Sequence, residues 1–170
     1  RQTLHAQAET NALFDTVHFI ERAKTIYGYD HFISDTSGSI CEITNPDNPA
    51  DPVLNALSSA CLPVWIKGSD EDAETLKQRF CKAPKPMYYA PDFLSSKWAE
   101  YLTLRDINET EVDPDDFIRW GFAELLQNRL PKYASIAQNW GVTVDAAEVR
   151  NIRDPQDFND LISLAIDRKN

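Results

Sequence analysis

Apolar residues at three- and four-residue steps dominate the start of the chain. Leu13, Val17, Ile20 and Tyr27, joined by Phe14 and Ala23, form one stripe, while Glu21, Arg22 and Lys24 occupy the other side. That period predicts a helix over residues 1–27. Gly28 ends it, because glycine takes the left-handed conformation at a helix C-terminus without steric cost. The short apolar run His31-Phe32-Ile33-Ser34-Asp35 then reads as a buried strand leading into the tight polar loop Thr36-Ser37-Gly38-Ser39. Asp-Pro occurs at 51–52, 113–114 and 154–155, each time ahead of a helix-periodic run. Asp caps free N–H groups and Pro suits the first helical position, so helices are predicted to begin near 52, 114 and 155.

Leu62 to Lys67 reads as a second buried strand, followed by capping-box spacing at Ser69 and Asp72 for a helix to about Phe80. Prolines mark residues 81–91 as a loop, Asp92 to Leu104 has helical periodicity, and Pro131 is placed at the start of a new helix. Val142-Thr143-Val144 after Gly141 predicts a short strand, and Phe158 to Ile166 lies on a closing helix. Buried strands alternating with amphipathic helices predict an α/β chain, a three-layer α/β/α arrangement. Its sheet is short and mostly parallel, and its C-terminal half is rich in helix. The whole of 1–170 is expected to be a single domain. Ligands of open parallel sheets lie at the C-terminal strand ends, here Asp35 to Ser39 and Lys67-Gly68-Ser69.

Charge narrows the partners. The 170 residues carry 27 Asp and Glu against 17 Lys and Arg, a net charge of −10. This excludes unspecific binding to nucleic acid or to an anionic membrane, which needs clustered cations. No 18-residue apolar run is present. The three cysteines form no close pairs, which argues against structural zinc and for a reducing, cytoplasmic setting. A start at Arg1 suggests a processed or truncated piece.

Asp35 at a strand end suits either an acid that helps hold Mg²⁺ or simple turn capping. Ser37, Gly38 and Ser39 present amides and hydroxyls to a ligand, or form an ordinary turn. Arg79, Lys82 and Lys85 concentrate positive charge on a proline-stiffened loop with Tyr88 and Tyr89, a composition suited to an anionic ligand such as phosphate. Arg129 points at a ligand or pairs with a neighbour such as Glu124. Cys41 beside the Ser-Gly-Ser loop is a candidate nucleophile with no evident histidine partner.

Order and spacing resemble the C-terminal two-thirds of small P-loop kinases, especially the shikimate kinase type. The long helix, the strand and the loop Asp35 to Ser39 correspond to that family's helix, strand and substrate loop. Val64 to Ser69 running on to Arg79 is similar to its next strand and helix. Lys85-Pro86-Met87 is similar to its mobile lid, and Arg129, Pro131, Tyr133 and Ala137 fit Arg-x-Pro-x-Tyr-x-x-x-Ala. Val142 to Val149 matches its closing strand. The glycine run is replaced by Thr36-Ser37-Gly38-Ser39, so shikimate is not carried over. Asp-Thr-Ser-Gly-Ser and Lys-Pro-x-Tyr-Tyr also resemble segments of an uncharacterised bacterial family of ATPase-like P-loop proteins.

The resemblance implies a nucleotide-dependent phosphotransferase or ATPase using ATP and Mg²⁺ on a small anionic substrate or nucleotide. Asp35 would organise Mg²⁺, Arg79 and Lys85 would stabilise phosphoryl charge in a lid over 79–91, and Lys82 and Tyr88 would contact the cofactor. Ser37, Gly38, Ser39 and Arg129 would hold substrate. No Gly-x-x-x-x-Gly-Lys-Ser/Thr occurs in the chain. The resemblance therefore implies that on the order of 40–100 residues lie upstream and that the sheet has an open edge, filled by rearrangement, a neighbour or a homo-oligomer. The alternative is a non-enzymatic acidic helical interaction module with Trp98, Trp120 and Trp140 as partner anchors, residues whose helical spacing equally fits core packing.

Overall fold

The computed structural model describes residues 2–169. Helix α1 runs Gln2–Tyr27 and stops at Gly28, whose φ of +64° is the left-handed value expected of it. A four-residue helix α2 (Ile40–Ile43) and α3 (Pro52–Ala60) precede strand β1 (Val64–Lys67). Then come α4 (Asp70–Lys82), α5 (Pro91–Arg105), a 3₁₀ turn at Glu109–Glu111 and α6 (Pro114–Trp140). Strand β2 (Val142–Asp145), α7 (Ala146–Val149) and α8 (Pro155–Lys169) close the chain.

All three Asp-Pro helices start where expected. Asp51 accepts from the N–H groups of Val53 (3.0 Å) and Leu54 (2.9 Å), Asp113 from Asp115 (2.8 Å), and Asp154 from Asp157 (2.9 Å). Ser69 and Asp72 form the reciprocal capping box of α4.

The three-layer α/β/α expectation is overturned: among the described residues the sheet has two strands, β1 and β2, paired in parallel with Val64 opposite Val142. Helices dominate instead. The predicted strand at 31–35 does not form: its two apolar residues, Phe32 and Ile33, are exposed and pair with no strand among the described residues. Residues 31–36 have no regular secondary structure, and no backbone hydrogen bond joins them to another described segment. Strand β1 is half-buried to exposed rather than buried, since only β2 flanks it. Pro131 starts no helix and lies inside α6. A proline there forfeits one bond, at a cost of about 3 kcal/mol, but its ring faces solvent while the buried stripe Leu125, Arg129, Ile136 continues past it.

One core joins α1, α2, α3 and α6 through Leu13, Cys41, Val53, Leu54, Leu57 and Ile136. A second packs Val142 and Val144 of β2 on Leu161 and Ala165 of α8. Aromatic contacts join α4, α5 and α6: Phe80 stacks on Phe122 at 3.9 Å, and Trp98 meets Phe117 edge-on at 4.9 Å. At the turn from α6 to β2 only glycine fits, because a Cβ on Gly141 would collide with the Pro63 carbonyl. No described helix is long and apolar enough to cross a membrane.

Candidate functional site

Helix α6 ends at Trp140, and β2 starts two residues later. Tyr133 stacks beside Trp65 of β1, with ring centroids 6.1 Å apart. Arg129 is one turn, about 6 Å, further on. The loop Asp35 to Ser39 meets α6 at these two residues, with Gly38 against Arg129 and Tyr133.

Loop geometry depends on three local features. Asp35 Oδ1 accepts the N–H of Ser37 at 3.0 Å, the turn-capping alternative foreseen for this residue. Ser37 adopts φ 53°, a left-handed conformation uncommon outside glycine. Gly38 then lies flat on α6, where any Cβ would collide with Arg129 Nη1 and the Tyr133 hydroxyl. Ser37 Oγ and Ser39 Oγ are 2.7 Å apart, and Ser39 Oγ donates to Glu9 Oε2 of α1 at 2.7 Å.

Below the loop, the Arg129 guanidinium forms a buried fork with Glu42 of α2, Nη2 to Oε2 at 2.7 Å and Nε to Oε1 at 3.2 Å. Their side chains are 8% and 1% exposed. Arg129 Nη1, the nitrogen under Gly38, has no hydrogen-bond partner among the described residues. Lys132 donates to the Cys41 carbonyl at 2.7 Å. Burial and then the Glu42 charge push the Cys41 thiol up to about 12, with Arg129 opposing. A fully buried thiol held protonated is no nucleophile, so that candidate is set aside. Burial, with Cys41 next in importance, likewise lifts the Tyr133 phenol to about 12.

Sequence-predicted residues divide into two groups. Ser37, Gly38, Ser39 and Arg129 converge, with Asp35 at the rim. Tyr88 joins them: its ring lies 5.0 Å from that of His5, and its phenol is raised by burial and by the charges of Glu42 and Glu9. Arg79, Lys82 and Lys85 are exposed on the end of α4 and the following loop, and none has a hydrogen bond or ion pair among the described residues. Sequence reasoning missed Glu42 and Glu9, which lie far from Arg129 and Ser39 respectively along the chain. Glu124, the partner suggested for Arg129, binds Lys97 at 2.6 Å instead. Trp98 and Trp120 are packed against Phe117 and Tyr101, and Trp140 Nε1 donates to the Pro46 carbonyl at 3.1 Å. All three are half-buried, so each makes contacts within the molecule and keeps part of its surface exposed.

Among the described residues no three His, Cys, Asp or Glu side chains gather as a metal site, and no glycine-lysine loop cradles phosphates. These residues alone do not fit a nucleotide–Mg²⁺ group, so no chemical step is derived through it.

Beside the polar cluster runs an apolar trough of about 310 Å³. Phe32, Ile33 and Ser34, Val64, Trp65 and Ile66 of β1, and Leu57 and Ile136 are among the residues that line it. Comparison of the chain with known protein families, with curated proteins and with solved structures gives no match.

Proposed function

We propose that this chain forms the acceptor-substrate side of a nucleotide-dependent phosphotransferase or ATPase, the nucleotide's phosphates being cradled by sequence other than residues 2–169. One observation carries the reading. The Ser37-Gly38-Ser39 loop lies directly on Arg129, whose guanidinium is held from its other edge by the buried Glu42 carboxylate.

Arg129 Nη1 is the free donor of a guanidinium whose other edge is fixed by Glu42, so its orientation is set before any ligand arrives. It binds an anionic substrate group, and the Ser37 and Ser39 hydroxyls position it through hydrogen bonds. Arg79, Lys82 and Lys85 are long, exposed cations on the segment that leads to Tyr88, and Tyr88 itself faces Glu42 and Glu9. Folding that segment over the site would add positive charge around an anionic substrate group. Asp35 is left with one carboxylate oxygen outside its turn, available at the rim of the site.

The test is γ-phosphate release or transfer from ATP by the complete translation product containing this chain, compared with its Asp35→Asn and Lys85→Ala variants. Both side chains are exposed, so the fold is retained. Turnover is expected in the parent and to fall by roughly 100-fold in each variant, the usual scale for losing one electrostatic contact to the transition state. No turnover in the parent, or equal turnover in all three, overturns the reading.

A further inference from the structure

Two serines, a glutamate and a histidine form a chain of polar contacts that holding an anionic substrate does not require. Ser37 Oγ lies 2.7 Å from Ser39 Oγ, Ser39 Oγ donates to Glu9 Oε2 at 2.7 Å, and Glu9 Oε1 lies 3.4 Å from His5 Nε2. A hydroxyl has one proton to donate and a carboxylate has none. Ser39 gives its proton to Glu9, so the Ser37 hydroxyl is the donor between the two serines. Polarity therefore runs one way, from Ser37 through Ser39 to Glu9. Ser39, in the middle, is 8% exposed, whereas Ser37 at the outer end is open to solvent.

Ser37 is itself held in place. Asp35 Oδ1 fixes its N–H, and its φ of 53° is a left-handed value that side-chain-bearing residues keep chiefly where their surroundings over-determine it, often at reactive sites. Tying the loop to α1 needs only Ser39 and Glu9. Among the described residues, the one donor to Ser37 Oγ besides its fellow hydroxyl is the Ser39 N–H, at a long 3.4 Å. The trough lies alongside: Thr36 and Ile40, which bracket Ser37 to Ser39, both line it, and its lining carries no Asp, Glu, Lys, Arg or His. An uncharged apolar group suits that lining, while a charged one would lose its hydration there without a partner.

We propose that Ser37 is a nucleophile and that this loop cleaves esters of small apolar carboxylic acids, whose acyl group lies in the trough. Ser37 Oγ bonds to the acyl carbon while its proton passes to Ser39 and the Ser39 proton passes to Glu9. The carbonyl oxygen takes the negative charge, offset by the free Arg129 Nη1 beneath the neighbouring Gly38. As the carbonyl re-forms, the ester C–O bond breaks and the departing alcohol takes the proton back from Glu9 through Ser39. Water then repeats the exchange on the Ser37 ester, releasing the acid and restoring the serine. This activity uses neither ATP nor Mg²⁺, so it goes beyond phosphoryl transfer and stands or falls apart from it.

The test takes the whole chain, without nucleotide, and an alkyl fluorophosphonate, which bonds a nucleophilic serine through phosphorus with loss of fluoride. Peptide mapping should find the adduct on Ser37, formed about 100-fold faster than on the exposed Ser59, Ser95 and Ser163, which donate to helix carbonyls instead. Glu9→Gln keeps an acceptor for Ser39 but removes the base, and should slow labelling by about 100-fold with an unchanged circular dichroism spectrum. Ser39→Ala, which breaks the relay without touching α1, gives the same reading should Glu9→Gln unfold. Ser37→Ala should abolish hydrolysis of p-nitrophenyl hexanoate. Ile33→Asp, a charge on an exposed residue of the trough lining, should slow hexanoate hydrolysis by about tenfold and leave acetate hydrolysis unchanged. Labelling of Ser37 no faster than that of the other serines, or labelling that survives loss of the relay, overturns the proposal. So does hexanoate hydrolysis that Ile33→Asp leaves unchanged, which would take the acyl group out of the trough.

Discussion

A guanidinium and a carboxylate taken out of water together owe their stability to each other. Arg129 and Glu42 are such a pair, and replacing one leaves the other's charge buried and uncompensated. Arg129→Gln and Glu42→Gln should each lower the unfolding free energy by about 3–5 kcal/mol in urea titrations, and the double variant should recover part of that loss. A single-variant cost below about 1 kcal/mol would mean that the pair behaves as an exposed one. Arg129 could be picked out from the sequence because an arginine ahead of a proline, with a tyrosine after it, is a local pattern. Its partner could not, because Glu42 is 87 residues away and only the packing of α2 on α6 brings them together. Gly38 was legible as part of a polar loop, whereas the reason for its missing side chain lies in Arg129 and Tyr133.

Helix starts were legible because their chemistry is complete within three or four residues: Asp51, Asp113 and Ser69 each cap amides that follow them directly in the chain. Strands depend on a partner elsewhere, so Phe32-Ile33-Ser34 carried a strand signal without a ladder to join. Pro131 misled for the opposite reason. The local rule that proline opens a helix is outweighed by a buried stripe extending on both sides of it. Its missing N–H leaves the Gln127 carbonyl without its helical donor, while its ring is exposed. Pro131→Ala should therefore raise the thermal midpoint, with a gain of between about 1 and 3 kcal/mol. A loss of stability would show instead that the proline sets the course of α6 on which Arg129 and Tyr133 depend.

At the scale of the molecule, stability against pH is governed by carboxylates on the surface and by thiols and phenols raised by burial, Cys41, Cys61, Tyr89 and Tyr133. Backbone amides and neighbouring arginines hold Asp72, Glu148 and Asp157 below their usual values, the cap amides of Ser69 and Asp145 leading for the first two and Arg153 for the third. A carboxyl whose folded value is depressed contributes fully above its unfolded value, 3.8 for Asp and 4.5 for Glu, and loses that contribution as pH falls through the folded value. Cys41 and Tyr133 act at the other end. Burial raises them from 9.0 and 10.0 to about 12, so their contribution is whole below pH 9 and is lost as pH rises toward 12. The thermal midpoint should thus be level between about pH 5 and 9 and fall on both sides. Charge repulsion alone would place the maximum near the isoelectric point of 4.7, where the net charge vanishes. Scanning calorimetry across pH 2.5–11 separates the two accounts, because a maximum at the isoelectric point would show that overall charge outweighs the capped carboxylates. Cys41→Ala removes one of these buried acids, so it should make the alkaline fall shallower and leave the acid side unchanged. An unchanged alkaline slope would mean that Cys41 does not stay protonated in the folded core.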